Sequence, residues 1–261
     1  MDCSRVADII VEWIRERVRE SRARGIVVGL SGGVDSAVVG ALAKRAFPGA
    51  VLGLIMPAHS NPQDVEDALA VAGSFDIPTR TIDLGPLFDL ALESFNRAAG
   101  DRGPGDDAPG SEECRGGLSV ARANIKPRLR MITLYYFANL LNYLVAGTGN
   151  RSELEVGYFT KYGDGGVDIL PIAGLVKSQV RELARYLGVP ERVIQKPPSA
   201  GLWAGQTDEG EMGLAYEDLD RFILTGEADR VVREKIQSMH AKSEHKRKLP
   251  PVPALPPEIL R

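Results

Sequence analysis

The sequence predicts an α/β protein whose core is a doubly wound, Rossmann-like parallel sheet with helices on both faces. Three observations predict this fold. Short apolar runs alternate along the chain with longer segments of helical spacing, which is the pattern of β-α-β units. Two of the apolar runs lead directly into glycine-containing polar turns. In open parallel sheets, ligands bind at the carboxyl ends of strands, where such turns lie. The composition, with 44% hydrophobic and 26% charged residues, is that of an ordinary globular protein.

Four apolar runs are expected to form the strands of this sheet. Each has the length of a buried strand and lies next to a helical pattern. Because the intervening helices return the chain to the same end of the sheet, the strands should be parallel. The strand candidates are residues 26–30, 51–56, 79–84 and 143–148.

Helical patterns account for much of the remaining chain. The apolar spacing between Val6 and Ile14 predicts an amphipathic first helix. Asn61 followed by Pro62 has the form of a helix start, and we expect that helix over 61–75. One further helix candidate begins near residue 36, and a long helical pattern contains 130–142. The others cover 85–98, 177–188 and 215–226, the last two ending in glycine.

Size, charge and cysteine content exclude several classes of protein. The 261 residues are enough for one large or two small domains, and we expect a single domain over 1–261. No apolar run reaches the roughly 18 residues of a membrane span, and the charged N-terminus lacks a secretory apolar core, so we expect a cytoplasmic enzyme without a membrane partner. The net charge of −3 argues against a nucleic-acid partner. Cys3 and Cys114 form no C-x-x-C motif, which excludes a zinc knuckle and a dithiol redox pair.

Two long segments lack any periodic pattern. Residues 97–117 are rich in glycine, proline and aspartate and predict a mobile loop, which is either filler or an active-site lid. Residues 195–212 are also irregular, but they contain a tryptophan, which favours a lid-like segment over a plain linker. The sequence leaves both alternatives open for the first segment.

The polar turn after the first strand candidate has the composition of a phosphate-binding loop. It reads Ser-Gly-Gly-Val-Asp-Ser over residues 31–36. Gly32 and Gly33 allow backbone amides to approach an oxyanion, and the following helix directs its positive end at them. Asp35 would repel a phosphate unless a divalent cation lay between them, so the loop predicts Mg²⁺ as a cofactor. A plain strand-to-helix turn explains the glycines but not the two serines and the aspartate around them.

Five ordered motifs carry a resemblance to a known family. The loop resembles the PP-loop of the ATP pyrophosphatases, which does without the lysine of G-x-x-x-x-G-K-[ST]. Four further segments are similar to the ammonia-dependent NAD synthetases. They are NIKPRLRM at 124–131, GTGNRSELEVGYFTKYGDGGVDILPIAGLVKS at 147–178, KPPSAGLWAGQTDE at 196–209 and SEHKRKLPPVP at 243–253. The resemblance implies an adenine nucleotide alpha hydrolase-like fold and a homodimer with substrate sites near the subunit interface.

The resemblance also implies a reaction, the last step of NAD biosynthesis. ATP adenylates deamido-NAD, and ammonia then displaces AMP from the acyl-adenylate, so that NAD, AMP and pyrophosphate are formed. The implied ATP-binding residues are Gly29, Leu30, Ser31, Gly32, Gly33, Val34, Asp35, Ser36, Thr148, Lys177 and Ser199. The implied deamido-NAD-binding residues are Arg128, Lys161, Asp168, His245 and Lys246.

Metal binding and catalysis are assigned by the same resemblance. Asp35 and Glu153 are the implied Mg²⁺ ligands, and Lys177 is a catalytic cation that stabilises departing pyrophosphate. Ammonia is mostly ammonium at neutral pH, so a carboxylate must bind the cation and help to remove its proton. Asp164 and Asp168 are the two candidates for that role.

Two other functions are alternatives to this assignment. One is another PP-loop adenylating amidotransferase or synthetase. The other is a nucleotide-binding module without catalysis, which would not explain the second carboxylate, Glu153, after a distant strand. Residues 1–24 are too few to form a glutaminase domain, so we expect the ammonia to arrive free or from a separate glutaminase.

Overall fold

Four parallel strands form the central sheet of the described part of the protein, which comprises residues 1–99, 120–201 and 206–256 of a computed structural model. The strands are β1 (Ile26–Gly29), β2 (Val51–Ile55), β3 (Thr79–Thr81) and β4 (Leu144–Ala146). Their order is β3–β2–β1–β4, and in register Ile26 lies beside Val51 on one side and Leu144 on the other. Because the order reverses between β1 and β4, a crevice opens at the carboxyl ends of these two strands.

Helices connect the strands and follow them. In chain order the helices of the described ranges are α1 (Cys3–Glu20), α2 (Val34–Ala46), α3 (Pro62–Ser74), α4 (Gly85–Ala99), α5 (Ile125–Leu141), α6 (Arg151–Val156), α7 (Lys177–Leu187), α8 (Glu191–Gln195), α9 (Asp208–Met212), α10 (Tyr216–Thr225) and α11 (Arg230–Arg247). None of them is long and apolar enough to cross a membrane.

The alternation of side chains along β1 builds a core on each face of the sheet. Ile26 and Val28 belong to a buried cluster shared with α1, α2, α3 and α7. Val27 belongs to a second buried cluster on the other face, which α5 covers. Successive residues of a strand point to opposite faces, so a strand that is apolar throughout requires helices on both. The predicted fold class is therefore confirmed.

Several predicted boundaries differ from those of the structure. β3 ends at Thr81, earlier than the expected residue 84. α2 begins at Val34 rather than near residue 36, because Gly33, with φ −98° and ψ 160°, already has the extended geometry of an N-cap. α5 covers Ile125–Leu141, in agreement with a long helical pattern that contains 130–142, while α4 continues to Ala99, inside the loop expected from residue 97. Residues 100–117 of that loop lie outside the described residues.

The second irregular segment is helical at its end. Thr207 caps α9 by accepting the Gly210 N–H, so residues 208–212 form a helix rather than part of a lid-like coil. Residues 196–201 have no regular structure, and 202–205 are not described. The irregular part of the predicted segment is therefore shorter than expected.

A third buried cluster joins the C-terminal helices to α6. It contains Val156 of α6, Leu219 of α10 and Ile236 of α11, together with residues of α9. At Gly157, where α6 ends with φ +69°, a Cβ atom would lie 2.0 Å from Cβ of Ser243 on α11. Only glycine permits this approach, and through it the C-terminal helix packs closely against the end of α6.

Candidate active site

The candidate active site lies at the crevice between β1 and β4. Residues 30–33 connect β1 to α2, and residues 147–150 connect β4 to α6. Both connections leave the carboxyl ends of adjacent strands, so the first turns of α2 and α6 face the same crevice.

The glycine loop is built to leave the start of α2 open. Gly32 has φ +78°, and a Cβ atom there would lie 2.3 Å from the backbone oxygen of Asp64. Gly33 is the N-cap of α2 and provides no side-chain acceptor for the first helical N–H groups. Ser36 instead donates to the Gly33 carbonyl at 2.9 Å and accepts the Ser31 N–H at 3.2 Å, which fixes the shape of the loop. A loop of this form presents amide donors to an anion.

The side chain of Lys177 forms ion pairs with two carboxylates, which lie on helices that follow different strands. It is the first residue of α7, and its Nζ lies 2.6 Å from Oδ2 of Asp35 and 3.2 Å from Oε1 of Glu153. Only 2% of the lysine side chain is exposed, whereas both carboxylates retain some contact with solvent. Asn150 completes the arrangement by donating to Oδ1 of Asp35 at 2.9 Å, while its backbone N–H donates to Glu153 at 3.1 Å. Three residues that the resemblance assigns to ATP and Mg²⁺ are thus in direct contact.

The charges in this cluster stabilise one another. Burial alone would lower the pKa of Lys177, but the charges of Asp35 and Glu153 outweigh it and place that pKa above its usual value. Burial raises the pKa of Glu153 to about 7 against the attraction of Lys177, and the nearby charge of Asp35 adds to the rise. The two carboxylates therefore favour the protonated form of the Lys177 side chain, and its positive charge in turn favours the ionised form of Glu153.

Two residues that sequence reasoning did not assign complete the cluster. The hydroxyl of Tyr216 lies 3.0 Å from Oδ2 of Asp208 and 3.4 Å from Oε1 of Glu153. The ring of Tyr216 also lies 4.9 Å from Nζ of Lys177. Asp208 is buried, and burial raises its pKa. Asp208 belongs to the GQTDE motif at 205–209, which could have identified it, whereas Tyr216 lies in an ordinary amphipathic pattern.

The residues assigned to deamido-NAD form a second group around the Lys-Tyr-Gly-Asp-Gly-Gly turn. Nη2 of Arg128 on α5 lies 3.4 Å from the Lys161 carbonyl, and Nζ of Lys161 donates to the His245 carbonyl at 2.6 Å. Nζ of Lys246 donates to the carbonyls of Gly157 and Phe159, at 2.8 and 2.7 Å. The structure therefore brings α5, the turn and the end of α11 together, although they are distant in sequence.

The two candidate ammonium-binding carboxylates have different surroundings. Both oxygens of Asp168 are engaged, since Oδ1 accepts the Tyr135 hydroxyl at 2.9 Å and Oδ2 accepts the Val145 N–H at 2.8 Å. Asp164 accepts the Thr160 N–H at 2.8 Å within its own turn. Asp168 is thus held against β4, while Asp164 is held by its local loop.

The remaining predicted ATP contacts lie at the edges of this region. Thr148 follows β4 and is half-buried. Ser199 is exposed, and its hydroxyl accepts the Gly201 N–H at 3.1 Å. No hydrogen bond in the described ranges joins Ser199 to Lys177 or to the glycine loop.

An open parallel sheet with an anion-binding loop and paired carboxylates at its crevice defines a nucleotide-binding α/β enzyme. Comparison with known proteins narrows this class. The NAD synthase family model matches residues 6–250. The curated NH(3)-dependent NAD(+) synthetase of Carboxydothermus hydrogenoformans is 53% identical over 246 residues, covering 94% of this chain and 96% of the relative.

Solved structures agree with the sequence relatives. The NMN synthetase of Francisella tularensis has a TM-score of 0.87 and 38% identity, covering 98% of this chain and 100% of that one. The NH3-dependent NAD synthetase of Campylobacter jejuni, solved with a nitrate ion, has a TM-score of 0.74 and 30% identity over 97% of this chain and 100% of its own. The chain belongs to the NAD synthase family. This confirms the enzyme class predicted from the sequence, an ATP-using ligase of the ammonia-dependent NAD synthetase type in NAD biosynthesis.

Proposed function

We propose that this protein converts deamido-NAD, ATP and ammonia into NAD, AMP and pyrophosphate. The observation that carries the proposal is the contact of Lys177 with both Asp35 and Glu153 beside an uncapped glycine loop. Amide donors, a buried cation and two carboxylates within one crevice suit the departure of a highly charged leaving group. The 53% sequence identity with an NH(3)-dependent NAD(+) synthetase supports the same conclusion.

The first chemical step activates the nicotinate carboxylate. One carboxylate oxygen attacks the α-phosphorus of ATP, and the bond from that phosphorus to the pyrophosphate oxygen breaks. The N–H groups at the start of α2 hold the β- and γ-phosphates, and Lys177 balances the negative charge that develops on pyrophosphate. The product is an acyl-adenylate, whose AMP is a far better leaving group than oxide.

The carboxylate pair also fits a magnesium ion. Asp35 and Glu153 are hard oxygen donors, and Mg²⁺ is commonly held by one or two carboxylates together with substrate phosphates and water. No group of three or more His, Cys, Asp or Glu in the described ranges could hold a metal by itself, which suits a cation that is completed by ATP. When bound, Mg²⁺ supplies positive charge at the phosphate oxygens.

The second step forms the amide. The nitrogen of ammonia attacks the acyl carbon, AMP leaves, and one proton passes from nitrogen to solvent or to the departing AMP as the amide forms. Ammonium loses one further proton before this attack, and Asp168 and Asp164 are both candidates for binding the ammonium ion and accepting that first proton. Asp168 is held in place by Tyr135 and Val145, and such fixed positioning suits proton transfer. Water would hydrolyse the adenylate, so we assign the segment around Ser199 to covering the site.

A mononucleotide is a second candidate substrate. It is favoured by one observation, the TM-score of 0.87 with a solved NMN synthetase. Nicotinate mononucleotide carries the same reacting carboxylate as deamido-NAD but lacks the adenylate half. We expect the dinucleotide to be preferred, because the sequence relative at 53% identity is an NH(3)-dependent NAD(+) synthetase.

A product assay with both substrates tests this function. Purified protein is incubated with ATP, Mg²⁺ and ammonium, and with either deamido-NAD or nicotinate mononucleotide. We expect NAD, AMP and pyrophosphate in equal amounts from the dinucleotide, and slower turnover of the mononucleotide. Glutamine should not replace ammonium. Formation of ADP and phosphate, or faster turnover of the mononucleotide, would contradict the proposal.

We also propose that the protein forms a homodimer, as the family resemblance implies. α5 exposes Ile132, Tyr136 and Leu140 at successive helical turns, each with at least 60% of its surface accessible. The adjacent α4 exposes Leu87, Leu90 and Phe95. Exposed large apolar side chains on two helices that contact each other are typical of a protein interface. The enzyme is assigned to the cytoplasm, with free ammonia or a separate glutaminase as its nitrogen source.

A further inference from the structure

A buried carboxylate on α10 lies behind the Lys177 cluster. Asp220 is only 5% exposed. Its Oδ1 accepts the Ser152 hydroxyl at 2.5 Å, and its Oδ2 accepts the backbone N–H of Ser178 at 2.7 Å. None of the sequence motifs contains Asp220. Neither of its hydrogen bonds joins it directly to Asp35, Glu153 or Lys177.

Ser152 extends this contact to Lys177. The serine is fully buried, and its Oγ accepts the backbone N–H of Lys177 at 3.1 Å while donating to Asp220. Asp220 therefore receives one hydrogen bond from the residue before Glu153 and one from the residue after Lys177. Asp220 thus contacts the chain next to both Glu153 and Lys177, and through Ser152 it reaches the backbone N–H of Lys177.

The start of α7 explains why such a group is needed. The N-cap residue is Val176, whose side chain has no acceptor for the first helical N–H groups. Lys177 places a positive charge at a helix N-terminus, where the helix dipole opposes it. Ser152 and Asp220 supply the missing acceptors from outside the helix, and the charge of Asp220 offsets the dipole.

We propose that Asp220 is a positioning residue for pyrophosphate departure, acting through Ser152 to hold Lys177 and Glu153 at the correct separation from Asp35. The proposal rests on the proposed function, because it assigns a part in the adenylation step. Groups that orient a catalytic residue through a hydrogen bond typically change activity by about 10- to 100-fold when they are removed.

The first test compares two aspartates of α10. Asp220→Asn removes the charge but keeps the shape of the side chain. Asp218→Asn is the matched control, because Asp218 is partly exposed and pairs with Arg221 on the same helix. We expect Asp220→Asn to lower kcat for pyrophosphate formation by about 10- to 100-fold, with KM for deamido-NAD changed by less than about twofold. The control should keep the parental kcat.

A double-mutant cycle separates positioning from general loss of stability. If Asp220 acts through Lys177, then adding Asp220→Asn to Lys177→Met should lower kcat by no more than about twofold. A residue that only supports the fold would lower kcat by the same factor in both backgrounds. That equal factor, or a parental kcat in the single Asp220→Asn variant, would overturn the proposal.

A second variant covers the case in which Asp220→Asn does not fold. Ser152→Ala removes the hydroxyl that links Asp220 to Lys177, and circular dichroism verifies the fold. It should also lower kcat with little change in KM. The factor by which kcat falls should be smaller in the Lys177→Met background. If both variants are unfolded at the assay temperature, the network is a folding element and the proposal is wrong. Failure of the proposed function is seen separately, as absence of pyrophosphate formation by the parent enzyme.

Discussion

Lys177 carries a buried positive charge that two carboxylates from different strand ends share. Removing one partner of a buried ion pair leaves a charge without compensation, so each of these residues affects both the fold and the chemistry. Substitutions that keep the shape of the side chain, such as aspartate to asparagine, remove the charge without opening a cavity, and circular dichroism of each variant then verifies the fold. The residue-scale predictions below therefore use isosteric changes.

Asp35→Asn should weaken adenylation while leaving the fold intact. The amide can still accept a hydrogen bond from Lys177, but it contributes no charge to a magnesium site. Loss of an electrostatic group of this kind typically costs about 10² to 10³ in kcat. Pyrophosphate release is measured across a range of Mg²⁺ concentrations, with Asp218→Asn as control. Near-parental rates at low Mg²⁺ would mean that Asp35 serves only the start of α2.

Asp168→Asn should separate the two half-reactions. If Asp168 binds ammonium, its loss of charge leaves adenylation unaffected and slows amide formation. Rapid-quench analysis should then show a burst of pyrophosphate with NAD lagging behind it, and the lag should shrink as pH rises and neutral ammonia becomes plentiful.

Tyr135→Phe is the control for that experiment, because it removes a hydrogen bond to Asp168 but keeps the carboxylate. It should show little separation of the two products. Loss of both pyrophosphate and NAD in Asp168→Asn would instead assign Asp168 to substrate binding, and Asp164 would become the candidate for the ammonia step.

The sequence predicts some of these residues better than others. Asp35 and Glu153 each follow a strand, and neighbouring parallel strands end at the same edge, so their approach could be expected. Tyr216 and Asp220 come from α10, whose sequence reads as an ordinary amphipathic helix. Their contacts with Glu153 and Ser152 depend on how α10 packs, and no local pattern encodes that packing.

At the scale of elements, the strands were predicted more reliably than their ends. β1 and β2 are apolar throughout, and their burial on both faces makes the pattern clear. β3 ends three residues earlier than the expected 79–84, because its partner β2 ends at Ile55, the residue that pairs with Thr81. The approach of α11 to α6 was not predicted, since a glycine at 157 reads simply as a helix end.

Gly157→Ala tests that approach. The new Cβ would meet Ser243 at 2.0 Å, and φ is +69°, so both overpacking and backbone strain apply. We expect a loss of about 2–5 kcal/mol in unfolding free energy, the sum of the two costs. Gly226→Ala is the matched control, because Gly226 has φ +77° but no atom within 4 Å of a new Cβ. It should lose only about 1–2 kcal/mol. Equal losses would show that α11 does not pack closely at Gly157.

At the scale of the whole molecule, the apolar surface of α4 and α5 predicts a homodimer. Tyr136→Glu places a charge at the centre of that surface and should shift the protein to the mass of a monomer in sedimentation or light-scattering measurements. Leu224→Glu is the control, because Leu224 is also exposed but lies on α10. A parental protein that is monomeric at micromolar concentration, or a Tyr136→Glu variant that remains dimeric, would contradict the proposed interface.

The most direct test of the proposed chemistry follows the oxygen of the nicotinate carboxylate. Deamido-NAD labelled with ¹⁸O in both carboxylate positions is converted with unlabelled ATP and ammonium, and the products are analysed by mass spectrometry. Attack on the α-phosphorus requires one labelled oxygen to appear in AMP and the other to remain in the amide of NAD. Label in inorganic phosphate or pyrophosphate, or its absence from AMP, would contradict adenylation of the carboxylate at this site.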